Sequence, residues 1–280
     1  MKSSLLTNLL SGIAFKYKQL NKAYYKSDFG LNIFDILYLK HLPKDDVVKK
    51  IRLKFGDVFY ISAADLHHSL IEIFEDKIYW QELKEHSYIL DCGANIGLSA
   101  IYLKSICPTA AIECFEPDTK NFELLSRNIL SCRLANIHLH NAAVWKENTT
   151  LQFVNDGSLS SRVDNSLTNI TSIKIDALRL KDFMTKEIDF LKIDIEGAEY
   201  EVLKDIEECL HFVKNFFLEY HGKFSENDQL LEMLDIVKRA GFKFYIREAG
   251  AVYKTPFTRK DDGMARIYDV QLNIFCFREN

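Results

Sequence analysis

The chain has 280 residues, 48% of them apolar and 27% charged, and a net charge of −4. That length allows one large core, or one core with an accessory segment, and the composition is that of a soluble globular protein. The acidic balance excludes a global basic field for nucleic acid, and the lysines of residues 44–54 are offset by nearby acids, as on a solvated face.

In chain order, Leu5, Leu6, Leu9, Leu10 and Ile13 open the sequence at helical spacing. The run is too broken for a signal peptide. It is expected to pack on the body or on a sister subunit of a homo-oligomer, with a helix lying on a membrane surface as the alternative. A second helix runs through FDILYLKHL and is closed by Pro43. IRLKFGDVFYIS alternates around Gly56-Asp57, which predicts a β-hairpin. DLHHSLIEIFEDKIYWQEL is expected to be helical, with Leu70, Ile73 and Phe74 on one stripe. Residues 1–85 are therefore read as an accessory region.

From Tyr88 onward, short apolar runs alternate with helical patterns, the signature of βαβ units and a parallel sheet. Strands are expected at 88–91, 111–115, 137–140, 190–194 and 216–219. Helices are expected at 98–106, 118–130, 198–210 and 225–240, the last closed by Gly241. TTLQFVN and SIKIDAL are further strands, and KFYIREA and VQLNIFCF form an antiparallel pair at the sheet edge. Residues 86–280 then make one α/β domain. No stretch approaches the roughly 20 apolar residues of a membrane span. The six cysteines form no CxxC pair and no His/Cys cluster with metal spacing. They sit mostly in apolar runs, which points to a reducing, cytoplasmic setting.

Ligands of an open parallel sheet bind beyond the carboxyl ends of its strands. After the first strand comes Asp91-Cys-Gly-Ala-Asn-Ile-Gly97. Gly93 and Gly97 permit a sharp turn, and Asn95 tolerates left-handed backbone. Free N–H groups at the next helix favour a carboxylate or phosphate. A plain strand–helix turn is the competing reading. Glu116 lies about 20 residues past the glycine turn, where ribose-binding acids sit. Pro117 and Asp118 start the following helix, with the acid in its first turn. Asn141 and Ala142 could border a flat base. Asp194, Glu196 and Glu199 cluster at a strand end, costly unless they meet a cation or hydroxyl. Glu199, and less clearly Glu196, would also serve as helix-dipole acids. Glu219 and His221 share one side of the fifth strand, a carboxylate beside a candidate base.

Taken together, LDCGANIGLSAIYL, ECFEPDTKNFELLSRNI, HNAAV, TTLQFV, IDALRLKDFM and DFLKIDIEGAEYEVLKDI resemble class I S-adenosylmethionine-dependent methyltransferases, and within them the FkbM family. The resemblance covers residues 88–245. It implies a Rossmann-like seven-stranded, mostly parallel sheet with helices on both faces and an antiparallel last strand. It implies that Asp91, Gly93, Asn95 and Gly97 cradle the methionine part of S-adenosylmethionine, that Glu116 holds the ribose hydroxyls, that Asn141 and Ala142 lie near the adenine, and that Ala94 and Pro117 also bind the cofactor. Asp194 and Glu196 would line the reaction site. Family members typically methylate hydroxyl oxygens of sugars or secondary metabolites, many in polysaccharide pathways. The acceptor is then a small molecule or glycan. Asp194 or His221 would take the hydroxyl proton, with Glu219 orienting the histidine. A divalent metal at Asp194 is compatible, but nothing in the spacing indicates one. The rivals are an NAD-dependent oxidoreductase, for which Ala94 and Asn95 stand where glycine is needed, and an inactive partner protein with the same fold. The acceptor pocket would draw on NDGSLSSRVDNS and TPFTRKDDGMAR.

Overall fold

The computed structural model describes residues 27–42, 45–154, 172–250, 252–253, 255–257 and 267–278. The leading helix expected around residues 5–13, Pro43, NDGSLSSRVDNS and most of TPFTRKDDGMAR lie outside them. The chain divides into two compact units, one running up to Trp80 and including Arg127–Leu134, the other holding Gln81–Ser126 and everything from Ala135.

In the first unit, helix α1 (Ile33–His41) starts at Asn32, whose side chain accepts from the N–H groups of Phe34 and Asp35 while the Asp35 carboxylate accepts from Asn32 N. This reciprocal cap satisfies donors that the first helical turn leaves open. Strands β1 (Lys49–Leu53) and β2 (Gly56–Tyr60) form the expected antiparallel hairpin. Helix α2 (Ala63–Leu70) passes into a wide π turn at Ile71–Glu75 and stops there, short of the helix expected through Leu83. Asp76 N bonds back to Ile71 O across five residues, and Lys77 takes a left-handed backbone that no helix continues. Leu70, Ile73 and Phe74 are nonetheless all buried.

The fully buried Asn128 completes this unit by imitating a strand partner. Its Oδ1 accepts from Phe59 N at 2.6 Å and its Nδ2 donates to Phe59 O at 3.0 Å. Asn128→Ala strands both backbone groups and should cost about 1–3 kcal/mol of stability. Urea unfolding checks this as a lower midpoint at unchanged slope. A loss under about 0.5 kcal/mol would mean that water replaces the amide.

The second unit is built on a seven-stranded sheet. Its strands are β3 (Tyr88–Cys92), β4 (Ala111–Phe115), β5 (Ile137–His140), β9 (Ile188–Ile193), β10 (Val213–Gly222), β11 (Lys243–Glu248) and β12 (Val270–Phe277). They lie in the order β11-β12-β10-β9-β3-β4-β5. β5, β4, β3, β9 and β10 run parallel, while β12 runs antiparallel to both β10 and β11. The terminal pair is thus antiparallel as expected, but the last strand inserts between β10 and β11, leaving β11 at the edge. Helices α3 (Leu98–Ile106), α4 (Thr119–Ser131), α5 (Glu199–Asp205) and α6 (Asn227–Arg239) follow their strands. The helix expected over 198–210 tightens after Asp205 into a 3₁₀ turn at Glu207–Phe212, where Cys209 N bonds to Ile206 O and Cys209 and Leu210 enter the core. Gly241 follows α6 with left-handed backbone, its N–H bonded to Lys238 O. The short strand β6 (Ala143–Trp145) was not legible in sequence. It joins β7 (Thr149–Val154) and β8 (Ser172–Arg179) in a separate three-stranded sheet, order β6-β8-β7.

The core of this unit packs Leu90, Leu191, Ile193, Phe216 and Leu218 of the central strands against Val202, Leu203, Ile236 and Val237 of the helices. The order of the strands reverses between β3 and β9. Their carboxyl ends therefore open a crevice, and that is where the candidate residues gather.

Candidate active site

The glycine turn after β3 is closed by its own surroundings. Gly93 N and Ala94 N both donate to Phe115 O, and Gly97 N donates to Ala94 O. Asn95 N donates to Glu116 Oε2 at 2.8 Å. These four N–H groups are engaged within the protein and fix the shape of the turn ahead of the α3 N-terminus. Gly93 is required by close approach: a Cβ there would stand 1.8 Å from Asp194 O. Asn95 takes φ 48°, the left-handed conformation that asparagine tolerates.

Beneath the turn lies a residue that the sequence reading passed over. Lys192 is 2% exposed, in a stretch from Phe190 to Ile193 otherwise buried and apolar. Its Nζ donates to Gly93 O at 2.7 Å and stands 3.1 Å from Asp194 Oδ2 and 3.5 Å from Asp91 Oδ1. A buried ammonium needs such company to offset its desolvation. Asp91 is fully buried and accepts from Ser99 Oγ at 2.5 Å, while its Oδ1 has no hydrogen-bond partner among the described residues. The signal available was a lone lysine in a run that a parallel sheet buries on both faces.

Glu116 follows β4. Its Oε2 holds Asn95 N and its Oε1 accepts from Asp118 N at 2.9 Å. Burial pushes its carboxyl up to about 7, against the pull of the Asp118 and Asn95 N–H groups. Asp118 is the cap of α4 rather than a residue of its first turn, accepting from Asn121 N. Asn141 spends its amide on the carbonyls of Glu116 and Pro117, at 2.9 and 3.3 Å. It supports the Glu116 corner rather than lining the crevice, and Ala142 is buried. The crevice wall at this point is made by Ala143 and Val144.

These elements enclose a cavity of about 420 Å³. Gly93, Asn95, Glu116, Pro117, Asp194 and Glu196 all line it. The volume is in the range of cofactor and small-ligand sites.

Beside it stands His221, 6% exposed, at the end of β10. Its Nδ1 meets Glu199 Oε1 at 3.0 Å. Glu219, the expected orienting group, instead faces Nε2 at 3.6 Å, and Glu196 faces the same nitrogen at 3.7 Å. Glu199 stands in the first turn of α5 as expected, but is 1% exposed and folds back to accept from Gly197 N at 2.9 Å, so it is a buried anchor as well. Burial alone would depress His221, but the Glu199 hydrogen bond and the charges of Glu199, Glu196 and Asp194 lift it to about 10. At neutral pH the imidazole therefore holds its proton, which corrects the expectation of a free histidine base. Tyr268 roofs this corner, its hydroxyl donating to Glu196 O at 2.7 Å and its ring 5.0 Å from that of His221.

Residues 91–244 match the family model described as the Methyltransferase FkbM domain, more than half of the chain. The chain belongs to the FkbM methyltransferase family. Among curated relatives of this FkbM protein, Methyltransferase 1 of Beauveria bassiana is 28% identical over 219 residues, which cover 66% of this chain and 88% of that protein. The 31-O-demethyl-FK506 methyltransferase FkbM of Streptomyces tacrolimicus is 27% identical over 202 residues, covering 59% of this chain and 78% of the relative. The 2-O-methyltransferase NoeI of Sinorhizobium fredii is 23% identical over 180 residues, covering 57% and 70%. The crystal structure of an FkbM methyltransferase from Methylobacillus flagellatus KT aligns over 74% of this chain and 47% of its own, with a TM-score of 0.47 and 18% identity. The sheet described above, seven-stranded and mostly parallel with its last strand antiparallel, is the one that the resemblance implies. Among the described residues, no helix is long and apolar enough to cross a membrane.

Proposed function

We propose that this FkbM protein is an S-adenosylmethionine-dependent O-methyltransferase acting on a hydroxyl of a sugar, glycan or secondary metabolite. The observation that carries the reading is one cavity lined at once by Glu116, Asp194 and the glycine turn at Gly93 and Asn95. Two of the relatives carry an oxygen position in their names, which supports transfer to oxygen.

The donor set suits the cofactor. Glu116 has lone pairs to spare for two ribose hydroxyls after serving Asn95 and Asp118. The buried Asp91 Oδ1, without a hydrogen-bond donor among the described residues, suits the ligand's amino group. Gly93, Ala94, Asn95 and Gly97 shape the turn against which the methionine part rests, and Glu196 flanks it. When bound, the cofactor supplies a methyl group on a sulfonium, destined for the acceptor oxygen.

The chain's own residues position the acceptor and receive its proton. Asp194 fills the second role: it lines the cavity, and Lys192 fixes its carboxylate at 3.1 Å. His221, held protonated by Glu199, contributes a positive edge beside it. Calorimetry with S-adenosylhomocysteine and NAD tests the assignment. Micromolar binding of the first and none of the second is expected. NAD binding without S-adenosylhomocysteine binding would overturn it. Transfer of labelled methyl to a panel of nucleotide sugars and glycans would then identify the acceptor.

A further inference from the structure

We propose that Asp194, Glu219 and His221 form a divalent-cation site that holds the acceptor's hydroxyl oxygen, an inference that deepens the O-methyl transfer reading and rests on it. Among the described residues, these three offer one ligand atom each within 4.8 Å of one another.

Their spacing fits an ion. His221 Nε2 and Glu219 Oε1 are 3.6 Å apart, too far for a hydrogen bond. Two ligands that share an ion at roughly 2.1–2.3 Å, with angles of about 90–120°, stand about 3–4 Å apart. The gap is wrong for a direct bond and right for an ion between them.

The setting of the histidine points the same way independently. His221 is more than nine-tenths buried, and its Nδ1 is committed to Glu199 at 3.0 Å. Glu199 is itself fixed by Gly197 N. Glu199 keeps the proton on Nδ1, so an ion that displaces the Nε2 proton otherwise held at neutral pH meets a nitrogen already aimed at it, as behind many metal-bound histidines. Here the aimed nitrogen faces the carboxylates of Glu219 and Glu196 at 3.6 and 3.7 Å, beyond hydrogen-bond distance.

The donor chemistry narrows the ion. Two carboxylates and one imidazole, without thiolates, suit a first-row ion such as manganese better than magnesium, which takes oxygen ligands. Three protein ligands leave coordination positions open, and an acceptor with neighbouring hydroxyls can fill two of them. The ion would lower the pKa of the bound hydroxyl, and its proton would pass to the Asp194 oxygen turned away from the ion. The ligands sit at the ends of adjacent parallel strands, paired through Leu218 and Ile193, so the site is held on rigid elements.

Titration of the full chain with Mn²⁺, followed by electron paramagnetic resonance in excess S-adenosylhomocysteine, tests this. One Mn²⁺ per chain is expected, bound at least tenfold more weakly by Glu219→Gln, with S-adenosylhomocysteine affinity held within threefold. Glu219 is partly exposed, so the variant should fold. No stoichiometric Mn²⁺ up to about 1 mM, or equal affinity in Glu219→Gln, overturns the cation site while cofactor binding leaves the methyl-transfer reading standing. Mn²⁺ binding without S-adenosylhomocysteine binding would sink that reading and not the metal site.

Discussion

Glu116→Gln should weaken S-adenosylhomocysteine binding about 10- to 150-fold at pH 8. That range is what one charge-assisted contact of about 1.5–3 kcal/mol contributes. The amide keeps one acceptor oxygen but sets an NH₂ group against either Asn95 N–H or Asp118 N–H, both of which the carboxylate now accepts. Buried to 6% exposure, Glu116 titrates near 7 in the folded chain against 4.5 for the free side chain. The cofactor needs the ionised form, so wild-type affinity should fall about tenfold from pH 8 to pH 6, the pH range in which Glu116 gains its proton. Stability should move the other way. The folded state binds the extra proton between about pH 4.5 and 7, so Glu116 costs stability as pH rises through that window and costs nothing below it. Calorimetric titrations at pH 6, 7 and 8 decide the matter. If Glu116→Gln binds within threefold of wild type at pH 8, or keeps the wild-type pH slope, the carboxylate is not the ribose acceptor.

The sheet was legible because its strands are short apolar runs punctuated by glycine, proline or acids. Residues 111–115, 137–140 and 98–106 fall where period and punctuation put them. The misses have local physical causes. Three residues, Ala143–Trp145, are too few to carry a period-two signal. The π turn at Ile71–Glu75 keeps the apolar stripe of a helix while ending it.

The site was half legible for a related reason. Asp91, Gly93, Asn95, Glu116, Asp194 and His221 stand next to strand ends, so topology alone delivers them to one crevice. Lys192 and Glu199 act through distant partners. Lys192 reaches back to residues 91 and 93, and Glu199 reaches forward to 221. Spacing in sequence carries no trace of such pairings, so it gives Glu199 only its place in the first helical turn and makes Glu219 the partner of His221.

Asp194→Asn should lower kcat by about 10²- to 10⁴-fold, the usual worth of a positioned proton acceptor. Its effect on S-adenosylhomocysteine affinity should stay within a few-fold. The split follows from geometry. The amide is isosteric with the carboxylate it replaces. The backbone at this position, which packs against Gly93 and bonds through its N–H to Cys92 O, is untouched. Lys192 keeps Asp91, Gly93 O and Cys92 O as partners, so the turn beneath the cavity stays in place. What disappears is the anionic oxygen at the cavity wall. A loss confined to kcat marks a group that acts only while the proton is leaving. Equal losses in kcat and cofactor affinity would instead make Asp194 part of the cofactor's seat, and turnover within threefold of wild type would remove it from the chemistry. His221 cannot take over in the variant without first giving up its own proton. The Asp194 charge is one of those that hold that proton, and the substitution removes it. Any residual activity should therefore rise with pH more steeply than in the wild type.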